Sequence, residues 1–410
     1  MQRIGVDVLG IERMAVAIRR SGDRFLRKSF TPAEIAYCAG SAERLAGRWA
    51  AKEAVIKCFD GTGICFPRKR IEILPAATGA PRVRLLGDAR GATVQVSITH
   101  QAQVAIATAT LEMPARPSFA EAPEAVALPE RPRDGHKGTF GTAVVVAGSL
   151  GLTGAAYLSA TAAARAGAGM VRLLVADGIY PILAAKCTEV MATPVPEVAP
   201  GHIGHSAHDT VMRHLEAAAA AVIGPGLGRD RSTWRLVYDV VAHASLPMVL
   251  DADALNALAE NRRALKKLGK GKGRVLTPHP GEMARLTGKT AAAVNQDREA
   301  IAAAAAEDWG AVVVLKGPRT VVAAPGGRIS VDPHEVPALA SGGTGDVLAG
   351  VIGGLLAQGC DPFTAAVTGV YVHAEAGRAV SERLGDSGLL ASDLLLEIPP
   401  VMDQLRRGGL

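Results

Sequence analysis

The stretch Leu339 to Val351, LASGGTGDVLAGV, sets Gly342, Gly343 and Gly345 just ahead of a carboxylate, Asp346. Glycines let backbone amides approach an anion closely, and the apolar run that follows is predicted to form a helix whose N-terminal end favours negative charge. Asp346 therefore stands where a phosphate would otherwise sit, and that placement needs a chemical reason. A second group lies near the start of the chain. Glu53 and Lys57 are four residues apart in AERLAGRWAAKEAVIKCF, hence on one face of a predicted helix, and Asp7 sits towards the end of the strand-like GVDV. Glu53 and Lys57 alone read as a surface ion pair of a few tenths of a kcal/mol. Two carboxylates in a domain rich in lysine and arginine also suit magnesium and a pyrophosphate.

Distinct elements must position these groups. After residue 135, apolar runs AVVVAG, MVRLLV, AAVIG, PMVLDAD, RVLTPH and AVVVLKG alternate with helical stretches such as TGAAYLSATAAARAGAG and REAIAAAAAEDWG. Such runs, ending in Gly, Asp or His, are expected to be buried parallel strands whose C-terminal ends carry a site. The loops leaving them are GSLGLTGA (148–155), GPGLG (224–228), DADALN (251–256), TPHPGE (277–282) and LKGPRT (315–320), joined by the glycine turn GGTGD (342–346). Asp251 and Asp253 are read either as holding magnesium or water or as capping the next helix.

The first 112 residues read as a small α+β domain. RIGVDVLGI forms a strand, and Thr31, Pro32 and Glu34 spell a capping box at the start of a short helix. A longer helix runs from about Ala42 to Phe59, and VQVSITH and VAIATATL form a hairpin. Between the halves, Leu111 to Gly135 holds five prolines without helix or strand period. The expected division is a domain at 1–112, a proline-stiffened, semi-extended linker at 113–134, and an α/β domain at 135–410.

Residues 1–112 carry 17 Lys+Arg against 10 Asp+Glu, so the net charge of +6 resides wholly in the first domain. An anionic lipid, a phosphorylated cofactor or an acidic protein fits that balance better than nucleic acid, because aromatics for base stacking are few. Alanine is abundant, as close helix packing or a base-composition bias would both produce. Five scattered cysteines (38, 58, 65, 187, 360) read as reduced thiols. With neither an apolar signal core nor an eighteen-residue apolar run, a soluble cytoplasmic protein is expected.

From His136 to Pro400 the chain resembles the ADP- or ATP-dependent NAD(P)H-hydrate dehydratases of the ribokinase-like superfamily, most specifically in HKGTFG, TPHPGE and GGTGDVLAG. The resemblance implies an α/β/α sandwich. It implies that the glycine turn holds the transferring phosphate while Asp346 faces the acceptor hydroxyl, here on C6 of hydrated nicotinamide. That would account for the carboxylate, since phosphoryl transfer needs an aligned nucleophile relieved of its proton. Lys316, Gly317, Pro318, Arg319, Thr320 and Gly345 are implied nucleotide contacts. Ala155, Gly228, His279 and Asp346 are implied contacts to the hydrated dinucleotide, NADHX or NADPHX. The sequence departs from the family in HEVPALASGG, where relatives have an Asn-Gly-like pair. No epimerase segment is recognised, which implies action on the S epimer alone.

Residues 1 to about 112 resemble holo-[acyl-carrier-protein] synthases, the small 4′-phosphopantetheinyl transferases, through IGVDV, FTPAEIAYC, ERLAGRWAAKEAVIKCF, GTGI and VSITH. The resemblance implies Asp7 and Glu53 as magnesium ligands and Lys57 beside the reacting serine or phosphate, with CoA as donor and acyl carrier protein as acceptor. Arg44, Arg48, Lys52 and His100 are candidate contacts to CoA phosphates. Gly10 stands where relatives carry an acid. Both families imply a homo-oligomer. The rival readings are a ribokinase-type kinase of a vitamin-like alcohol and a first domain that only docks carriers. The triplet His202, His205 and His208 reads as a solvated loop rather than a zinc site, and Lys266 to Arg274 as a solubilising loop.

Overall fold

The computed structural model describes residues 2–60, 65–87, 92–101, 103–112, 120–270 and 273–408, and the chain divides into compact units at 1–118 and 119–410. The GTGI stretch at 61–64 lies outside the described residues.

In the first unit, strands Gln2–Gly10, Val104–Glu112 and Thr93–Gln101 form an antiparallel sheet in that order, and Ile71–Pro75 pairs with Pro81–Leu85. Helix Ala42–Phe59 packs on the three-stranded sheet through Ala50, Ala51, Ala54 and Val55, all fully buried. Small residues allow a very close approach, and a side chain on Gly5 would fall 2.0 Å from the carbonyl oxygen of Ala54. The Thr31 capping box forms as expected at helix Pro32–Cys38. A helix not read in the sequence, Ile11–Ser29, begins right after Gly10 and is broken at Gly22 by φ 46°, ψ −134°. Glu12 therefore lies in a helical first turn and pairs with Arg19 at 2.6 Å instead of continuing a strand.

The second unit is built on a nine-stranded sheet ordered Arg328–Val331, Val321–Ala324, Val312–Leu315, Arg274–Leu276, Met248–Leu250, Ala220–Ile223, Thr142–Val146, Met170–Ala176, Met191–Val195. From Val312–Leu315 to the far edge every pairing is parallel, and the first two strands join antiparallel. All six strands expected from the apolar runs are present, and the central ones are wholly buried, as a sheet covered on both faces requires. Helix Thr344–Ala357 crosses helix Thr153–Arg165 at glycine-permitted distance: a carbon on Gly350 would lie 2.1 Å from the Ser159 carbonyl oxygen, and one on Gly354 2.5 Å from that of Ala163. Close packing of small residues is thus the structural use of much of the alanine.

Residues from Ala120 onward are packed on this second unit. Val126 is buried, Ala127 exchanges two hydrogen bonds with the Thr368 hydroxyl at 3.0 and 3.1 Å, and the Tyr371 hydroxyl donates to the Ala120 carbonyl at 2.5 Å. The latter half of the proline-rich stretch is therefore a strap on helix Pro362–Leu384 rather than an extended spacer, and residues 113–119 lie outside the described residues.

Candidate active sites

Helix Thr344–Ala357 is entered through Gly343, whose φ of 91° suits only glycine. The Thr344 hydroxyl ties the turn by donating to the carbonyls of Leu339 and Ser341 at 2.8 and 2.9 Å. Buried His373 donates from Nε2 to the Thr344 carbonyl at 2.9 Å, and burial lowers its pKa to about 4, so it is a neutral brace. Gly345 faces Lys316: a carbon on Gly345 would stand 3.3 Å from Nζ.

Lys316 follows strand Val312–Leu315 directly, and its ammonium lies 2.7 Å from Asp251 Oδ1 and 3.9 Å from Glu282 Oε2. Asp251 also accepts from the Thr277 hydroxyl at 2.7 Å. Three parallel strands thus deliver an acid, a hydroxyl and a lysine to one point. Burial works against the Lys316 charge, but Asp251 and Glu282 outweigh it and raise its pKa. The acids outnumber the ammonium. Burial, reinforced by Asp251 and opposed by Lys316, pushes Asp346 up to about 7, and burial likewise pushes Glu282 up to about 7. Two carboxyls poised near neutral pH beside a glycine turn can exchange protons with a bound molecule.

A cavity of about 370 Å³ opens here, with Lys316, Gly317, Pro318, Thr320 and Gly345 at its polar end and Leu339, Leu348 and Val370 on its apolar wall. Its size and division suit a nucleotide. Arg319 is not among the lining residues, and its backbone is left-handed at φ 50°. A wider depression of about 950 Å³ near Glu121, Glu124 and Arg328 is lined by none of Asp251, Glu282 and Asp346.

The residues expected to meet the dinucleotide form an adjoining group. Asp253, close enough to raise Asp346 further, accepts the Gly228 amide at 2.8 Å, so it braces that loop and does not cap its own helix. Ala155 stands on helix Thr153–Arg165 against Gly226. His279 caps helix Pro280–Thr287 by accepting the amides of Gly281 and Glu282 at Nδ1, which leaves its half-exposed Nε2 edge towards the site. Buried Ser149 Oγ and His202 Nδ1, without protein partners, flank Gly228. Glu282, Thr277 and His373 were not picked out in the sequence. Only Glu282 left a signal there, at capping-box spacing from His279.

His205 and His208 do not form the expected solvated loop. His205 opens a 3₁₀ turn and bonds Asp239 at 2.7 Å, and His208 begins helix His208–Glu216, stacked on His205. Among the described residues no group of three or more His, Cys, Asp or Glu is arranged to hold a metal.

In the first unit, the close contact at Gly5 lays strand Gln2–Gly10 along helix Ala42–Phe59, so that Asp7 reaches the helix's last turns. Lys57 Nζ lies 2.9 Å from Asp7 Oδ1 and donates to the Val6 carbonyl at 2.8 Å, while Glu53 pairs with Arg68. The i, i+4 pair of Glu53 with Lys57 is therefore replaced by two longer-range pairs. Lys52 is a correction. It is fully buried, with Nζ held by Glu34 Oε2 at 2.7 Å and by the carbonyls of Arg68 and Ile71 at 2.8 and 2.6 Å, so it cannot reach a CoA phosphate. Arg44 and Arg48 lie over the Tyr37 ring at 5.5 and 4.7 Å, and His100 meets Glu43 at 2.9 Å.

A mostly parallel sheet whose strand-end loops gather a glycine turn, a lysine and a carboxylate is the architecture of ribokinase-like proteins. A ribokinase-like superfamily protein from Enterococcus faecalis aligns with a TM-score of 0.57 at 26% identity, over 68% of this chain and 92% of that one. The ADP/ATP-dependent NAD(P)H-hydrate dehydratase from Bacillus subtilis, co-crystallized with ATP and Mg2+, aligns with a TM-score of 0.57 at 33% identity over 68% and 94%. Residues 143–400 match the family profile of NAD(P)H-hydrate dehydratase. The ADP-dependent (S)-NAD(P)H-hydrate dehydratase of Xanthomonas campestris is 41% identical over 276 residues, 67% of this chain and 92% of that protein. The chain belongs to the NAD(P)H-hydrate dehydratase family. It spans only about half the length of other relatives, such as the bifunctional NAD(P)H-hydrate repair enzyme of Moorella thermoacetica, 46% identical over 68% of this chain and 52% of that one. Residues 3–109 separately match the 4′-phosphopantetheinyl transferase superfamily, so two unrelated domains are fused.

Proposed function

We propose that the second unit restores NADH and NADPH from their (6S)-hydrates, driven by cleavage of ADP or ATP. The convergence of Gly345 and Lys316 on one cavity, with the Asp346 carboxyl close enough to Lys316 for each to shift the other's pKa, carries this reading. Asp346 takes the proton of the C6 hydroxyl as its oxygen bonds to the terminal phosphorus and the bridging P–O bond breaks. Phosphate then leaves with the C6–O bonding pair, and loss of a C5 proton restores the ring double bond. Lys316 and the amides of the glycine turn stabilise the charge on the phosphoryl group, while Gly317, Pro318 and Thr320 seat the nucleotide. Ala155, Gly228 and His279 seat the hydrate. The surplus of carboxylates suits a magnesium ion carried in with the nucleotide, where it would neutralise phosphate charge.

Mixing the protein with ADP and hydrated NADH should return the NADH absorbance. Accumulation of a stable phosphorylated alcohol without NADH would establish the kinase instead. Lys316→Ala is expected to weaken ADP binding at least about tenfold, and to destabilise the fold by roughly 3 kcal/mol because buried Asp251 loses its partner. Calorimetric titration and thermal melts check the two effects separately, and unchanged ADP affinity would remove Lys316 from the site.

For the first unit we propose magnesium-dependent transfer of 4′-phosphopantetheine from CoA to a serine of acyl carrier protein. The nearness of Asp7 and Glu53 to paired cations supports it. Both are hard oxygen donors, so the pair fits magnesium, which when bound would stabilise the departing 3′,5′-ADP. Magnesium at the carboxylates would release Lys57 and Arg68 towards the pyrophosphate, and Arg44, Arg48 and His100 remain candidates for CoA's outer phosphates. The basic first domain suits an acidic carrier. Raising salt from 50 to 500 mM should increase the carrier's KM several-fold with little change in kcat; a flat KM would argue against charge-guided docking.

No helix among the described residues is long and apolar enough to cross a membrane. We place the protein in the cytoplasm, where both substrates occur, as a homo-oligomer. Exposed Ile4, Val6 and Val8 along one strand favour self-association, which sedimentation tests.

A further inference from the structure

His334 occupies the segment where the sequence departs from its family, and its surroundings are unusual. It is buried, and both ring nitrogens meet carboxylates: Nδ1 lies 3.1 Å from Asp332 Oδ1, and Nε2 lies 2.9 Å from Glu375 Oε1. Only an imidazole protonated at both nitrogens can donate to both. The side-chain bonds to Asp332 and Glu375 outweigh burial and raise its pKa to about 9. Its backbone carbonyl accepts the amide of Arg319 at 3.0 Å, and the neighbouring Asp332 amide donates to the Thr320 carbonyl at 2.9 Å. Arg319 is one of three non-glycine residues with positive φ among those described, a strained conformation that persists only where its surroundings hold it.

We propose that His334 is a positioning residue for the nucleotide: clamped as a cation between Asp332 and Glu375, it holds Arg319 left-handed and so sets the Lys316–Thr320 loop against the glycine turn. The proposal rests on the assignment of that loop to the nucleotide. His334 also lines the 370 Å³ cavity, as Gly345 does, so its displacement would alter the wall as well as the loop. Glu375 is shared with the strap, since it accepts the Ala120 amide at 3.0 Å and binds Arg378 at 2.6 Å. The clamp is thereby anchored from outside the cavity. None of these contacts reaches the Gly228 loop, so the hydrate side should be insensitive to it.

The test uses the full chain with His334→Gln, which keeps hydrogen-bonding capacity but cannot carry charge, and Glu375→Gln as a milder variant that keeps an acceptor oxygen. ADP affinity is measured by calorimetry without hydrate, and KM for ADP and for hydrated NADH are measured separately. In folded His334→Gln the dissociation constant and KM for ADP should rise at least about tenfold, with hydrate KM within about twofold and a smaller rise for Glu375→Gln. Unchanged ADP affinity in either folded variant, or equal loss of affinity for both substrates, overturns the proposal. Should His334→Gln fail to fold, Glu375→Gln alone decides. If the unmodified protein binds no ADP, the nucleotide assignment itself falls and takes the proposal with it. If it binds ADP and only Lys316→Ala weakens that binding, the assignment stands and the role of His334 does not.

Discussion

Asp346→Asn should lower the dehydration rate about 10³-fold or more while ADP still binds, because the amide keeps the shape of the side chain but accepts no proton at neutral pH. The unmodified enzyme should gain activity as pH rises through about 7, where Asp346 ionises. Stability should move the other way. The folded chain holds the Asp346 proton to about pH 7, whereas an unfolded carboxyl releases it near 3.8, so this group lowers stability as pH rises between those values. The asparagine variant does not titrate. At pH 8 it should be more stable than the unmodified protein by something on the order of 1–3 kcal/mol, a difference that fades towards pH 4. Thermal melts at the two pH values and single-turnover rates are the measurements; a variant with near-normal turnover would remove Asp346 as the proton acceptor.

Glu53→Gln should abolish the other activity, with transfer to apo carrier protein falling at least about 100-fold, since a neutral amide is a poor partner for magnesium. Dehydration by the same full-length variant should be untouched, because the residues assigned to the second site all belong to the unit 119–410. Mass spectrometry of the carrier reads the result directly. Full transfer by the variant would exclude Glu53 as a ligand, and no transfer by the unmodified chain with CoA and magnesium would leave the first unit as a docking module.

What could be read in the sequence was local. The Thr31 box, the six buried strands, the hairpin at 93–112 and the glycine turn each depend on residues within a few positions of one another, and each is present. The errors arose where the deciding partner is distant. Nothing near Lys52 reveals that Glu34, eighteen residues earlier, withdraws it into the core, and nothing near Glu53 announces Arg68. Helix Ile11–Ser29 was missed because Gly10 and Gly22 punctuate it, one at its entry and the other at its break. His334 and His373 were unreadable for the same reason, since their chemistry is set by Glu375 and by the Thr344 carbonyl across the fold.

The strap, described from Ala120 onward, bears on how such a chain is assembled by recombination. A crossover that replaced the first module and rejoined the chain at residue 135, where the proline-rich composition ends, would discard the residues that cover Tyr371 and Thr368 and donate to Glu375. The second module would then inherit an uncovered helix and a loosened clamp behind its nucleotide pocket. Viable exchanges should therefore join upstream of residue 120, and proteins that share this second module with other partners should retain the strap as its first piece.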